Sequence, residues 1–329
     1  MPSIAHMGYG YWGKNIARNL AELGFLKAVI DPDPGAAQNA AGTLGVAAAS
    51  LDEVLADPGI DGLSIASPAE MHFDHAAAAL QAGKHVFVEK PLALKADDAR
   101  ALCALAEEKG LVLMVGHLLQ YHPIYRKLRE LVEDGALGRI LYAYSNRMSL
   151  GKFRIEENVL WSFAPHDISM LLGIFNEEPS HVSAQGNTSF THGIADIVTA
   201  QMHFPSGGSA HIQTCWMHPF KEQRLTVIGN KAMAVFEDSN PNWSEKLKLY
   251  RHSFDTSGPV PIPQKADAET VEVEPAEPLK SECLHFAQCI DGKQRPRTDG
   301  DEGLRVLTVL ERAESALQRN LEFQQSRGL

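Results

Sequence analysis

Short apolar runs alternate with amphipathic stretches through the first third of the chain. Strand-like runs fall at Ser3–Gly8, Lys27–Ile30, Gly62–Ala66, His85–Val88 and Leu111–Val115. Between them, Lys14–Leu23, Gly35–Leu44, Glu70–Gln81 and Lys95–Lys109 place apolar residues at helical spacing. Steady alternation of this kind predicts a parallel sheet with helices on both faces. After about residue 118 the rhythm changes. A helix is predicted over Ile124–Glu133. Alternating stretches follow at Ile140–Met148, Val182–Asn187, Ile197–Phe204, Gly208–Trp216, Leu225–Ile228 and Ala232–Phe236. These suit a large, mostly antiparallel sheet with one face covered. A short helix, Asp167–Ile174, is expected to start near His166. The stretch Pro259–Pro278 reads as loop, and two helices close the chain at about Ser281–Ile290 and Gly303–Gln318.

A length of 329 residues is long for one core. The expected division is a dinucleotide-binding domain over 1–118 and an α+β substrate-binding and oligomerisation domain over 119–329. An alternative placement packs the last helix back on the first domain. Thirty basic against forty-one acidic residues give a net charge of −11. Such a balance argues against nucleic-acid binding, which needs a clustered basic face, but leaves room for a local cationic pocket. The chain enters a strand pattern at once after Met1-Pro2-Ser3, without a leader-like segment. No apolar run approaches membrane-spanning length. The four cysteines show no metal or CxxC spacing. Reduced thiols in a cytoplasmic protein, with no bound metal, are the expectation.

Gly8-Tyr9-Gly10-Tyr11-Trp12-Gly13 matches G-x-G-x-x-G, a pattern too short to mean much alone in a chain with 26 glycines. Its setting gives it weight, because it ends the first strand and opens the first helix. There the three glycines allow the tight turn, the approach of a pyrophosphate and the packing of helix on strand. The helix N-terminus supplies N–H groups and positive dipole to the anion. Asp31 ends the second strand, where an acid binds the adenosine ribose hydroxyls; its charge would repel a 2′-phosphate and so favours NAD over NADP. The first domain is thus expected to be a Rossmann fold, with Gly8, Gly10, Tyr11, Trp12, Gly13 and Asp31 at the cofactor.

Glu89-Lys90-Pro91 directly follows a strand, at the sheet edge that carries ligands in open α/β folds. A lysine there can hydrogen-bond a substrate hydroxyl and steady a developing alkoxide; a surface lysine in a proline turn is the plainer alternative. The G-x-G-x-x-G, Ser67-Pro68-Ala69-Glu70-Met71-His72, Glu89-Lys90-Pro91 and Ala164-Pro165-His166-Asp167, in this order, resemble the Gfo/Idh/MocA oxidoreductase family over nearly the whole chain, down to Thr298-Asp299-Gly300 before the last helix. The resemblance implies a nicotinamide enclosed between the Rossmann domain and the large sheet. It implies Ser67, Pro68 and His72 along the cofactor, Glu89 at its ribose, and Lys90 in the active site. Gln120 and Trp161 join the expected cofactor residues. His166 is the expected proton-transfer residue, near a helix start whose dipole would disfavour the imidazolium form. Two departures matter. Relatives commonly carry an Asp four residues before this His, where this chain has Ser162, and an Asn-Arg pair where it reads Leu118-Leu119-Gln120-Tyr121. A Lys–Asp–His triad therefore does not carry over, and Lys90 and His166 remain as the catalytic pair.

Arg147, Lys152 and Arg154 put three cations in eight positions of an acidic chain, shortly before the segment bearing His166. Three cations there suit a diphosphate; a solvated strand or loop would also account for them. Asn158 and Lys221, the latter in a second basic cluster, complete the expected substrate contacts with His166. The segments Asn158–Leu172 and Trp216–Asp238 are similar to family members that oxidise the 3-hydroxyl of a UDP-sugar, UDP-N-acetylglucosamine above all. Their 3-keto product feeds an aminotransferase in diamino-sugar and lipopolysaccharide biosynthesis. The face that an antiparallel sheet leaves exposed commonly pairs in symmetric oligomers, so a homodimer or homotetramer is expected. The alternatives are a dehydrogenase of a free sugar or inositol, a redox-neutral NAD-dependent glycosidase, and a non-catalytic NAD-binding regulator of the same fold.

Overall fold

The computed structural model describes residues 1–151 and 153–327. The chain forms two compact units, Met1–Tyr121 with Glu277–Thr308, and His122–Ala276 with Val309–Leu329. In the first, β1 (Ile4–Met7), α1 (Gly13–Glu22), β2 (Leu26–Ile30), α2 (Pro34–Leu44), β3 (Ala47–Ala48), α3 (Leu51–Ala56), β4 (Gly62–Ile65), α4 (His72–Gln81), β5 (His85–Glu89), α5 (Ala96–Lys109) and β6 (Leu113–Gly116) follow one another. The six strands form a parallel sheet in the order β3-β2-β1-β4-β5-β6. Strands β1, β4 and β6 are buried at every position, as a sheet covered on both faces requires. The strands anticipated from the apolar runs are all present within two residues at either end. Helix α3 was not anticipated, although its start carries a capping box: the Ser50 hydroxyl accepts the Glu53 amide and the Glu53 carboxylate accepts the Ser50 amide.

The second unit contains α6 (Pro123–Glu133), β7 (Ile140–Leu150), α7 (Val159–Phe175), β8 (His181–Asn187), β9 (Ile197–His203), β10 (Ser209–Cys215), β11 (Met217–Gly229), β12 (Met233–Glu237), β13 (Leu247–Tyr250), β14 (Ser253–Asp255), β15 (Ile262–Gln264) and β16 (Ala268–Thr270). Eight strands form one sheet, β16-β13-β12-β11-β7-β10-β9-β8, antiparallel except for the parallel pair β7–β10. Burial alternates along β8, β9 and β10, so one face is packed and the other open. Helix α7 covers the packed face against β7, β9 and β10. The Pro259–Pro278 stretch is not wholly loop: it holds β15, which pairs with β14, and β16 at the sheet edge.

The chain's end does not stay in one domain, as a cut at 118/119 would have it. Helix α8 (Pro278–Ile290) and the opening of α9 (Gly300–Ser326) belong to the first unit, and α9 continues into the second. Before α9, Thr298 and Asp299 lie along β6: the Val115 amide donates to the Thr298 carbonyl at 2.8 Å. A Cβ on Gly303 would sit 2.7 Å from Val115 Cγ2, so glycine lets this helix start press on the strand.

Helix α8 carries the oddest residue of this core. Glu282 is fully buried, and neither carboxylate oxygen has a hydrogen-bond partner among the described residues. Burial, and then the nearby charges of Glu89 and Glu302, push its carboxyl well above the ordinary 4.5. A raised folded-state value means that stability is complete below the unfolded value and declines as pH rises through the folded one. Glu282→Gln, which cannot ionise, should flatten that decline. Thermal unfolding from about pH 5 to about pH 8 should show the wild type losing more stability than the variant; parallel curves would show that Glu282 does not set the slope.

Candidate active site

The first unit brings one group of expected residues together. Gly8, Asp31, Ser67, Lys90 and Gln120 follow the carboxyl ends of β1, β2, β4, β5 and β6, and so lie along one edge of the parallel sheet. The glycine-rich turn is built by close approach. Gly8 has φ +95°, and a Cβ there would lie 2.5 Å from the Ala66 carbonyl oxygen. A Cβ on Gly13 would lie 1.8 Å from the Gly8 carbonyl oxygen. Gly10 differs: a Cβ there meets no protein atom within 4 Å. The protein's own packing does not call for glycine at that position, but a pyrophosphate laid against the backbone would.

Neighbouring side chains hold the turn. The Asp31 carboxylate accepts the Tyr9 amide at 2.7 Å and the Asp33 amide at 2.9 Å. His6, buried in β1, contacts the Gly8 carbonyl through Nε2 at 3.0 Å and Ser64 Oγ through Nδ1 at 3.2 Å. Burial pushes its imidazole down to about 4, so it is neutral. The carbonyl can only accept, so Nε2 carries the proton and Nδ1 accepts from the serine. Tyr11 is exposed, whereas the Trp12 indole N–H donates to Glu89 Oε1 at 2.6 Å. Helix α1 begins without a side-chain cap; the Lys14 and Asn15 amides turn back to the Gly10 and Trp12 carbonyls at 3.2 and 2.9 Å, and the positive end of the helix dipole is what this start offers an anion. These features fit NAD: a backbone approach at Gly10, an uncapped helix start, and a fixed carboxylate at the end of β2.

Glu89 and Lys90 adjoin this turn. The Glu89 carboxylate also takes the Lys90 amide at 3.3 Å, and it fills the space where a Gly116 Cβ would be, 3.0 Å away. Burial, opposed by the Trp12 hydrogen bond, raises its carboxyl above the ordinary value. His72 spans two strand ends, contacting the Pro91 carbonyl at 2.7 Å and the Ser67 carbonyl at 2.9 Å. Ser67 Oγ meets His75 Nδ1 at 3.0 Å, and Pro68 precedes the short turn Ala69–Met71. Gln120 is buried in the turn Leu118–Tyr121.

The second unit corrects three expectations. His166 does not stand at a helix start: α7 begins at Val159, and Asn158 caps it, accepting the Leu160 and Trp161 amides. His166 is eight residues in, directly after Pro165, so the N-terminal dipole argument for a neutral imidazole does not apply. Arg147 is not an open anion clamp. It is buried, its Nε donates to Asp167 Oδ2 at 2.6 Å, and Nη2 lies 3.3 Å from Oδ1. Strand alternation turns residue 147 inward toward α7, where Asp167 neutralises it. Asn158 and Trp161 are likewise engaged, both donating to Glu314 Oε2, at 2.8 and 3.1 Å. Arg154 and Lys221 are exposed, with Arg154 paired to Glu157 at 2.9 Å. Lys152 lies outside the described residues.

Sequence reasoning missed His6 and the Arg147–Asp167 pair. The pair extends to Ser145, whose hydroxyl donates to Asp167 Oδ1 at 2.5 Å. It therefore ties the helix residue after His166 to β7 by three hydrogen bonds. A lone polar residue in an apolar strand is the signal that could have found His6. The pair had no signal, since Arg147 reads in sequence like any strand cation.

The sequence of residues 3–117 matches the model of the oxidoreductase family with an NAD-binding Rossmann fold, and residues 125–235 match the Gfo/Idh/MocA C-terminal domain. The chain belongs to the Gfo/Idh/MocA oxidoreductase family. It is 30% identical to UDP-N-acetylglucosamine 3-dehydrogenase of Acidithiobacillus ferrooxidans, over 92% of this chain and 93% of that one. A solved structure of that enzyme superposes with a TM-score of 0.86 at 28% identity, covering 97% and 98% of the two chains. It is also 27% identical to scyllo-inositol 2-dehydrogenase (NAD(+)) of Bacillus subtilis, over 91% and 87% of the two chains. Similarity to 1,5-anhydro-D-fructose reductase of Ensifer adhaerens is 26%, over 82% and 81%. The first unit is thus an NAD-binding Rossmann domain of an oxidoreductase, and no described helix is long and apolar enough to cross a membrane.

Two substitutions separate folding from binding. Gly13→Ala should cost about 3 kcal/mol of stability or more, because the clash is with backbone. Gly10→Ala should leave the melting temperature unchanged and weaken NAD by on the order of tenfold. Calorimetry with and without NAD reads both; equal effects of the two would contradict the separate roles. Asp167→Ala strands a buried guanidinium and should destabilise by roughly 3–5 kcal/mol, whereas a loss under about 1 kcal/mol would mean that the pair is solvated.

Proposed function

We propose that this protein is an NAD-dependent dehydrogenase of a nucleotide-linked sugar, oxidising the 3-hydroxyl of a UDP-sugar such as UDP-N-acetylglucosamine. The observation that carries the oxidoreductase part is the sheet edge itself. An uncapped helix start, a fixed Asp31 and Lys90 stand along it within one unit. The nucleotide-sugar part is supported by 30% identity over nearly the whole length to an enzyme of that name. In this reading the first unit binds the cofactor, and the second binds the substrate and makes a homodimer or homotetramer. The 3-keto product would pass to an aminotransferase in diamino-sugar and lipopolysaccharide synthesis. The inositol dehydrogenase among the relatives keeps a free polyol as the second reading.

Bound NAD⁺ supplies the hydride acceptor. The protein's task is the proton. His166 removes it from the substrate hydroxyl as general base, and the Lys90 ammonium steadies the oxyanion that forms. Asp167, fixed by Arg147 and Ser145, sets the position of the helix turn that carries His166. Glu89, held by Trp12, fixes the chain just before Lys90. With Arg147 buried, the exposed Lys221 and Arg154, the latter paired with Glu157, are the expected cations that solvent can reach.

His166→Asn and Lys90→Ala should each lower kcat by on the order of a hundredfold or more with little change in NAD affinity. The assay is absorbance at 340 nm with NAD⁺, a panel of UDP-sugars and free sugars, and hydroxylamine to trap the ketone. Wild-type turnover in either variant would remove that residue from the mechanism. Turnover of free sugars or inositol alone would favour the second reading.

A further inference from the structure

The proposed function leaves unused a set of exposed aromatic residues at one end of the second unit's sheet. Phe190 and Phe220 are 71% and 61% exposed, and Leu150, Phe153 and Ile155, at the end of β7 and just after it, are exposed too. Phe153 meets Phe190 edge-on, with ring centroids 5.2 Å apart, and the buried Trp216 at 5.9 Å. An apolar cluster open to solvent is costly unless something covers it.

Three details show that the cluster is built. Asp196 is fully buried, and its Oδ2 accepts the amides of Ser189 and Phe190 at 2.7 and 3.0 Å, which fixes the loop that presents Phe190. Asp196 Oδ1 and the Trp216 indole N–H are buried without hydrogen-bond partners among the described residues. One acceptor and one donor are therefore left over in the two residues that anchor the aromatic rings. The third detail is the ladder between β7 and β11. It pairs Met217 with Leu150 and then Glu222 with Met148, so β11 carries three extra residues at this point. Such a bulge re-aims side chains and terminates pairing. It presents Phe220, packed on His218 at 4.4 Å, and Lys221, which makes no ion pair among the described residues. Arg154 lies next to Phe153 in the chain.

Flat aromatic faces beside cations match the chemistry of a nucleobase followed by a diphosphate. We propose that Phe153, Phe190 and Phe220, with Lys221 and Arg154, form the subsite for the nucleoside diphosphate part of the substrate. The base stacks on the phenyl rings and the phosphates meet the cations. This rests on the nucleotide-sugar reading and gives its specificity a location. It also replaces the buried Arg147 with cations that solvent can reach.

The test uses UDP as the probe, in titrations of the full-length protein with NAD⁺ at saturation, alongside UDP-sugar kinetics. Phe190→Leu keeps apolar volume but removes the ring, and Lys221→Ala removes only charge, so at least one variant should fold. Each should weaken UDP and raise KM for the UDP-sugar roughly tenfold, with kcat and NAD affinity close to wild type. If the wild type turns over UDP-sugars and both variants bind UDP as tightly, this subsite is wrong and the functional reading stands. Unchanged UDP binding with a shift in sedimentation would assign the patch to contact between copies of the chain, and would overturn the proposal. A wild type that oxidises only free sugars and ignores UDP would remove the reading and the subsite together.

Discussion

The approach of Gly13 to the Gly8 carbonyl oxygen, too close for any Cβ, is the constraint on which the first unit depends. It lets α1 begin just after β1, with the positive end of its dipole at the edge of the sheet. The groups around it then fix the turn from different sides. His6 takes the Gly8 carbonyl from within the sheet, Asp31 takes the Tyr9 amide from the neighbouring strand, and Trp12 reaches Glu89 two strands away. Each contact joins a different strand end to the turn, so the spacing of the edge, and with it the place of Lys90, is set by one backbone geometry.

Charge is handled differently in the two units. In the first, carboxyls are buried close together, and Glu89 and Glu282 respond by moving toward their neutral forms. In the second, a buried carboxylate meets a buried guanidinium, and Asp167 with Arg147 becomes a tie between helix and sheet. A pair of that kind adds little net stability over an apolar substitute, but breaking it is costly. Its value lies in fixing α7 at the residue after His166, where Pro165 has removed one amide from the helix ladder.

Much of this was legible in the residues. Five of the six parallel strands, the glycine turn and Asp31 follow from short-range patterns, since apolar runs, turn glycines and strand-end acids act over a few residues; the two-residue β3 is too short to leave such a run. The half-covered sheet was equally plain from its alternation. What failed depended on partners far away in the chain. Arg147 reads as one of three cations for a diphosphate until Asp167, twenty residues on, is placed against it. A short helix was expected to start near His166, yet α7 begins at Val159 and carries Pro165 inside. The last helix was expected as one that could return to the first domain, but that α8 belongs there too is a matter of long-range packing that periodicity does not encode. The bulge in β11 was hidden too, because only the register against β7 reveals the extra residues.

The central claim is that a hydride leaves a sugar carbon for a nicotinamide held at this sheet edge, and isotope transfer tests it most directly. UDP-N-acetylglucosamine deuterated at C3 would be incubated with the protein and NAD⁺, and the reduced cofactor examined by mass spectrometry. The account predicts that the reduced cofactor carries one deuterium from the sugar. Reduced cofactor without deuterium, or none formed while an unlinked sugar or inositol is oxidised, would contradict it.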